Sequence, residues 1–365
     1  KKLAKQGRKM PGVKLLHQSS ENNSKPAYIM GHSTQAVSLL VNAASSVFAV
    51  PLQMKIHEGV VFSNRSNKTL IDRLLDMIGA LSIPEPYYLV ADAYYSNGKM
   101  IKGMLGSGND LITRARSNAV AYFEPAKQIG QRTRGRPKTY GHHVKLKQLF
   151  NSSHKISKIT SPVYGEKGVT LKVRSFTLLW KSAGRLTRFV LVQHPTRGKI
   201  ILMCTDLELS DVQIIRLYGL RFKIEHGFKQ ASQIVGAYDY RFWMAQMTPQ
   251  RHGGGDQYLH RCSNEYRLKV RLKLRSYHLH LFMGVVAQGL MQYLSSCHAQ
   301  QVWASFGSWL RTIRKDVAPS ERVAAMALRN SLPEFLVVSH QDNTLAKFII
   351  EHQVPERADI LGIAA

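Results

Sequence analysis

A chain of 365 residues, 44% hydrophobic and 20% charged, can bury a large core or divide into two lobes. Its 51 Lys and Arg against 23 Asp and Glu leave a formal charge of +28, spread along the whole length, which points to a polyanionic partner. Nucleic acid fits first, while a ribosomal-type role or an anionic membrane surface would share the charge; no apolar run approaches the ~20 residues of a bilayer span.

The start lacks a signal-peptide core. The three cysteines, Cys204, Cys262 and Cys297, are too scattered for a disulfide framework or a Cys-rich zinc site, so a reducing cytoplasm is expected. Lys1 to Pro26 is basic and turn-rich; as the first residue is Lys and not Met, the chain is expected to lack its natural beginning. Strands are predicted at His32–Val41 and Val47–His57, with Pro51 marking an edge or a bulge. A helix follows over Asn67–Leu81, striped by Leu70, Leu74, Leu75 and Ile78. The short apolar run Tyr87–Ala91 reads as a strand covered on both faces, ended by Asp92. A short helix around Lys99–Leu105 and a strand at Asp110–Arg116 complete a mixed α/β plan, in which acids at the carboxyl ends of strands border the ligand crevice. From Tyr122 to Asp206 the pattern changes to a basic Gly/Pro loop and then hairpins at Val169–Trp180, Leu186–His194 and Ile200–Asp206, read as a β-rich insertion. A capped helix over Asp211–Gly236, a loop at Met247–Asp256, helices at Glu265–Leu281 and Phe282–Leu294, and shorter ones at Arg322–Arg329 and Leu345–His352 close the chain.

The helix after Ser210 carries the most chemistry. Tyr218, Arg221, Glu225 and Lys229 are separated by three, four and four residues, which puts them on one face at about 3.6 residues per turn. Ile214, Leu217, Leu220, Ile224 and Phe228 form an apolar stripe to hold the helix on a core. Such a face is either a metal-and-phosphate surface or an ordinary amphipathic helix with solvated ion pairs. Asp92, at the end of a buried strand, either holds a hard cation or caps a turn. Together, Asp92 and Glu225 suit phosphoryl transfer, in which carboxylates hold divalent ions and Arg221 and Lys229 ground the phosphodiester; their carboxylates should then come within about 8 Å of each other. Arg134–Lys138, RGRPK, reads as an AT-hook-like element, with Arg134, Arg136 and Lys138 entering a minor groove, or as a basic linker. Trp243 could stack on a base, core packing being the simpler role; His278 and His280 read as packing side chains, and His252–Asp256 as a turn.

These residues resemble a known family. VADAYY around Asp92, the Tyr-x-x-Arg-x-x-x-Glu pattern of Tyr218, Arg221 and Glu225, and RKMPGVK, GHSTQAVSLLV, PLQMKIHEG, YDYRFW and AQGLMQYL are similar to DDE-type insertion-sequence transposases with a Tyr-Arg-Glu-Lys signature. The resemblance implies an RNase H-like mixed-sheet core, its first part at 1–121, a β-rich insertion at 122–206, the remainder of the core at 207–245 and a helical C-terminal region at 246–365. It maps the second acidic ligand onto Asp92 and the third onto Glu225, holding Mg²⁺, with Mn²⁺ as a substitute. The first Asp would lie upstream of Lys1, since residues 1–10 hold no acid and Asp72, Asp76, Asp110, Asp206 and Asp211 do not fit a first-strand role. The commonest signature spacing would put its lysine at Ser232, where this chain offers Lys229 instead. The implied activity is cleavage at transposon ends and strand transfer to target DNA, by a nucleoid-associated homodimer on double-stranded DNA with no membrane partner. A catalytically dead DNA-binding fragment, a transposition inhibitor and a structural RNA-binding protein are the alternatives.

Overall fold

In the computed structural model, residues 6–17, 26–43, 46–126, 138–309, 312–339 and 351 are described. They fall into two compact units: Lys1–Gln35, Ile56–Glu225 and Ala245–Lys269 make the first, and Ala36–Lys55, His226–Met244 and Val270–Ala365 the second. Strands β1 (Lys14–His17) and β2 (Tyr28–Gly31) pair antiparallel, and β3 (Thr34–Ala43) pairs with β4 (Ser46–Ile56) in a sheet of two strands. Pro51 is tolerated inside β4 because a two-stranded sheet leaves every strand an open edge. After the two-residue β5 (Val60–Val61), α1 (Leu70–Gly79) starts at a capping box of Thr69 and Asp72 and buries Ile71, Leu74, Met77 and Ile78. Ile71 and Met77 are buried in place of the expected Leu70 and Leu75. Leu75 instead lies over Gly103 of α2 (Gly98–Gly106), where a Cβ would come within 2.6 Å of it.

The principal sheet has eight strands: β6 (Tyr88–Val90), β7 (Asp110–Arg114), β8 (Val120–Tyr122), β9 (His143–Lys145), β10 (Ser157–Thr160), β11 (Thr170–Trp180), β12 (Arg185–His194) and β13 (Gly198–Cys204). Their order is β6-β7-β13-β12-β11-β8-β9, with β10 on β11. Only β6 and β7 run parallel, so the sheet is mixed, as the alternation of elements requires. Helix α3 (Asp211–Leu220) lays Ile214 and Ile215 on one face, over Ile112, Val190, Val192, Leu202 and Cys204. The strands read as a separate β-rich insertion are continuous with the strand that precedes them. β13 pairs antiparallel with β7, Met203 opposite Thr113, and satisfies the edge groups that β7 would otherwise leave open.

The helix expected over Asp211–Gly236 is interrupted. α3 ends at Leu220, the Arg221 amide bonds back only three residues to Tyr218, and α4 (Phe222–Gln230) resumes before a π-helical turn at Ala231–Val235. The expected apolar stripe is correspondingly cut short. Ile214 is buried, but nothing on α4 is, and Phe228 is exposed. The two-residue β14 (Gln257–Tyr258) pairs parallel with β5. Helix α5 (Asn264–Cys297), of 34 residues, takes in both adjoining segments expected to be helical, the basic one and the apolar one. Its Tyr277 is fully buried, stacks on Tyr240 at 5.0 Å and donates to the Phe242 carbonyl at 2.8 Å. His280 packs beside the same two rings, as predicted. Helices α6 (Ala299–Ala304) and α7 (Glu321–Ser339) close a second core of Met291, Trp303, Phe306, Val323 and Ala327. Of the helix predicted at Leu345–His352, only residue 351 is among the described residues. No helix among them is long and apolar enough to cross a membrane.

A charged strap in the first unit gives a pH-dependent stability. Lys14 Nζ bridges Glu58 and Asp256 at 2.8 Å each, and His57 lies 3.6 Å from Glu58. Burial alone would raise the Glu58 carboxyl, but hydrogen bonds from Lys14 and Ser33 hold it below its ordinary 4.5. That stabilisation is present above pH 4.5 and is lost as pH falls through the folded value. Burial pushes His57 below its ordinary 6.5, aided by Arg73 and Lys14 and opposed by Glu58. The unfolded chain therefore takes up that proton first, and stability declines as pH falls below 6.5. Thermal melts should show two successive losses on acidification, His57 first and Glu58 second, and His57→Gln should remove only the earlier one.

Candidate active site

Two residues beyond β6, the chain must leave the sheet beside its only parallel neighbour. The Ala91 amide bonds the Ile112 carbonyl at 3.0 Å, and the Thr113 hydroxyl donates to the Asp92 carbonyl at 2.6 Å. Both bonds fix Asp92 at the carboxyl end of the parallel pair. Its Oδ1 accepts from the Tyr94 amide at 2.9 Å and caps the 3₁₀ turn Ala93–Tyr95. Asp92 is exposed, and its Oδ2 takes no protein partner among the described residues. Asp92 is thus a turn cap that keeps one carboxylate oxygen available to a ligand.

The second carboxylate arrives on the broken helix. Ser210 caps α3 reciprocally with Gln213, and Asp211 sits in its first turn, held by Arg188 at 2.8 Å. The cap starts the helix eight residues before Tyr218, and the tightening at Arg221 does not destroy the shared face. Arg221 bonds Glu225 Oε1 at 2.7 Å and lies 5.9 Å from the Tyr218 ring. Asp92 acts on the same pair. Burial, the largest influence, lowers the Arg221 value, but Glu225, Tyr218 and Asp92 together raise it. Burial raises Tyr218; the charge of Asp92 adds to this, while Arg221 and Arg114 oppose it. One guanidinium therefore lies in the field of both carboxylates, which come from chain positions 133 residues apart.

The other aspartates weighed for the first-strand role, Asp72, Asp76, Asp110, Asp206 and Asp211, are occupied elsewhere. Asp72 closes the α1 capping box and bonds Lys99 at 2.6 Å, and that bond first, then Thr69, holds its carboxyl at about 2. Asp110 accepts from Thr205 at 2.6 Å, and Asp206 from the Tyr88 hydroxyl at 2.6 Å. Asp110 is paired with Tyr88 in the parallel register, so both lie at the strand end opposite Asp92, roughly 13 Å away at about 3.3 Å per residue. Asp76 pairs with Lys68. Among the described residues no group of three His, Cys, Asp or Glu side chains lies close enough together to hold a metal ion.

Lys229 follows Glu225 by one turn but does not pair with it; it lines a cavity with Gln233 and Arg322. Trp243 is 47% exposed, which corrects the expectation of core packing; in the same irregular stretch it is Tyr240 and Met244 that are buried. Lys138 is exposed, and Arg134 and Arg136 lie outside the described residues. Sequence reasoning missed Arg114, whose charge reaches Tyr218 from the end of β7. It also missed Tyr164, at φ 57, which carries the Arg197 guanidinium 4.4 Å from its ring centre and meets Phe222 edge-on. The basic residue closing the apolar run of DLITR, at the end of a strand, could have pointed to Arg114; no local pattern marks Tyr164.

Residues 2–180 are similar to the family described as DDE superfamily endonuclease. The match takes in Asp92 and stops before Tyr218, Arg221 and Glu225. Among solved structures, the piggyBac transposase synaptic complex with hairpin DNA, seen by cryo-EM, aligns at 9% identity and a TM-score of 0.33. The alignment covers 95% of this chain and 56% of that one, so this chain spans little more than half of that transposase's length. No curated protein matches the chain.

Proposed function

We propose that this chain is a DDE-type DNA transposase with an RNase H-like core, which cleaves DNA at transposon ends and joins it to a target. The observation that carries the reading is geometric: Asp92 is held at the carboxyl end of the parallel β6–β7 pair with Oδ2 left without a protein partner among the described residues, and Arg221 bonds Glu225 at 2.7 Å on the helix packed over the same sheet. The similarity of residues 2–180 to DDE superfamily endonucleases supports the same chemistry. The donors suit a hard cation, since Asp92 keeps Oδ2 free and Glu225 is 45% exposed, and Mg²⁺ needs only one or two carboxylates when water completes its shell. Asp92 and Glu225 would hold that ion, which supplies Lewis-acid activation of a water or a 3′-hydroxyl. Arg221 then has two partners to choose between. Without DNA it is clamped on Glu225; a phosphodiester draws the guanidinium away by bidentate hydrogen bonding and frees Oε1. Tyr218, Arg114, Lys138, Arg134, Arg136 and Trp243 are the further DNA contacts of this reading, and the +28 charge supplies sequence-independent affinity.

A non-catalytic DNA-binding role is the second reading, favoured because among the described residues no group of three His, Cys, Asp or Glu side chains lies close enough together to hold a metal ion. Incubation with supercoiled plasmid and Mg²⁺ or Mn²⁺ separates the two. The transposase reading expects nicked product that EDTA suppresses; the binder reading expects a complex with intact DNA. A chain that neither nicks nor binds DNA sinks both.

A further inference from the structure

In the second unit, between the turn that ends α4 and the start of α7, lies a cavity of about 600 Å³. Lys229 and Gln233, one helical turn apart, line one wall, and Arg322 and Arg329, two turns apart on α7, line the other. Ile234, Ala325 and Met326 give it an apolar floor. No carboxylate is among its lining residues, and none of the three cations forms an ion pair among the described residues. Glu321, which neighbours Arg322, is engaged instead by Gln292 at 3.0 Å. Like charges converging on one cavity repel until an anion enters.

Ser320 adds an independent sign. It stands at the start of α7, its carbonyl accepting from the Ala324 amide at 3.0 Å. Thr69 and Ser210 stand at the equivalent positions of α1 and α3, and both fold their hydroxyls onto the first-turn amides. The Ser320 hydroxyl does not; it lines the cavity, is shielded from solvent and has no hydrogen-bond partner among the described residues. The Ser320 hydroxyl, three cations and the side-chain amides of Gln230 and Gln233 lining one space make a receptor for phosphate oxygens.

We infer that this cavity is a phosphate-binding site that takes a phosphodiester of a DNA strand, outside the Asp92–Glu225 centre. A volume several times that of a phosphate admits the attached sugar. The inference rests on the DNA-binding reading above, and a free phosphate compound is the other source of the same chemistry. The test uses the full chain, wild type and Arg322→Gln/Arg329→Gln, with a labelled duplex titrated over a range of salt. Both arginines are exposed, so circular dichroism should be unchanged. A control, Lys181→Gln/Arg185→Gln at the β11–β12 turn, removes the same charge. The salt slope of the cavity variant should fall by about 1–2, at roughly 0.9 per lost phosphate contact, with at least ~10-fold weaker binding, and the control should change less. Wild-type DNA binding with an unchanged slope in the cavity variant overturns the site. Inorganic pyrophosphate that binds wild type but not the variant, with DNA binding unaltered, assigns the cavity to a free ligand and overturns the DNA assignment. Absence of DNA binding by the wild type overturns the underlying reading as well.

Discussion

Glu225→Gln should lower metal-dependent DNA nicking by at least ~10³-fold while leaving DNA affinity intact. Metal-assisted charge stabilisation contributes several kcal/mol to phosphoryl transfer, and about 4 kcal/mol corresponds to that factor. The replacement is nearly isosteric, and a glutamine oxygen can still accept from Arg221 in place of Oε1. Because Glu225 is 45% exposed, folding should hardly change, within about 0.5 kcal/mol. Asp92→Asn should cause a comparable loss, since its amide oxygen still caps the Tyr94 amide and only the charge is removed. The double variant should be little worse than either single one, because groups that hold one ion act as a unit. Plasmid nicking with Mg²⁺ or Mn²⁺ is the measurement. Variants that nick at the wild-type rate would show that the two carboxylates are not the metal site.

Gly59→Ala should destabilise the first unit by about 3 kcal/mol or more. Gly59 sits at φ +100, and a Cβ there would lie 2.0 Å from the Gly12 carbonyl oxygen and 2.7 Å from its carbon. Both atoms belong to backbone, so no side chain can rotate out of the way. The left-handed conformation costs roughly 1–3 kcal/mol for a residue with a side chain, and the overlap a similar amount. Gly59 also receives the Gln257 amide at 2.9 Å, the bond that begins the β5–β14 pairing beside the Lys14 strap. At about 2–4 °C per kcal/mol, the melting transition should fall by roughly 6–12 °C. Gly31→Ala is the control, since no atom lies within 4 Å of its would-be Cβ and its backbone has no positive φ. A Gly59→Ala protein that melts within about 2 °C of wild type would refute the close-approach argument.

The sequence by itself determined the local features of this protein. Ser210, followed three residues later by Gln213, caps the start of α3 with residues local to it. Spacings of three and four residues put Tyr218, Arg221 and Glu225 on one face, and the Arg221–Glu225 bond spans one turn. The continuous apolar run before Asp92 marked the strand that carries it but not its surroundings: β6 lies at the edge of the sheet and Tyr88 is 40% exposed, so the expected cover on both faces is absent. Tertiary structure decided everything that depends on partners distant in the chain. Asp72 is taken by a lysine 27 positions away, Asp110 by a threonine 95 away and Asp206 by a tyrosine 118 away. Composition cannot distinguish those occupied acids from Asp92, because a hydrogen bond depends on distance in space and not along the chain. The same holds for strands: β11, β12 and β13 alternate like free-standing hairpins, and only the open edge of β7 draws them into one sheet with β6. Helix α4 shows the limit from the other side. Its apolar residues keep the right period, yet Phe228 stays exposed, because a stripe is buried only where another surface comes to meet it.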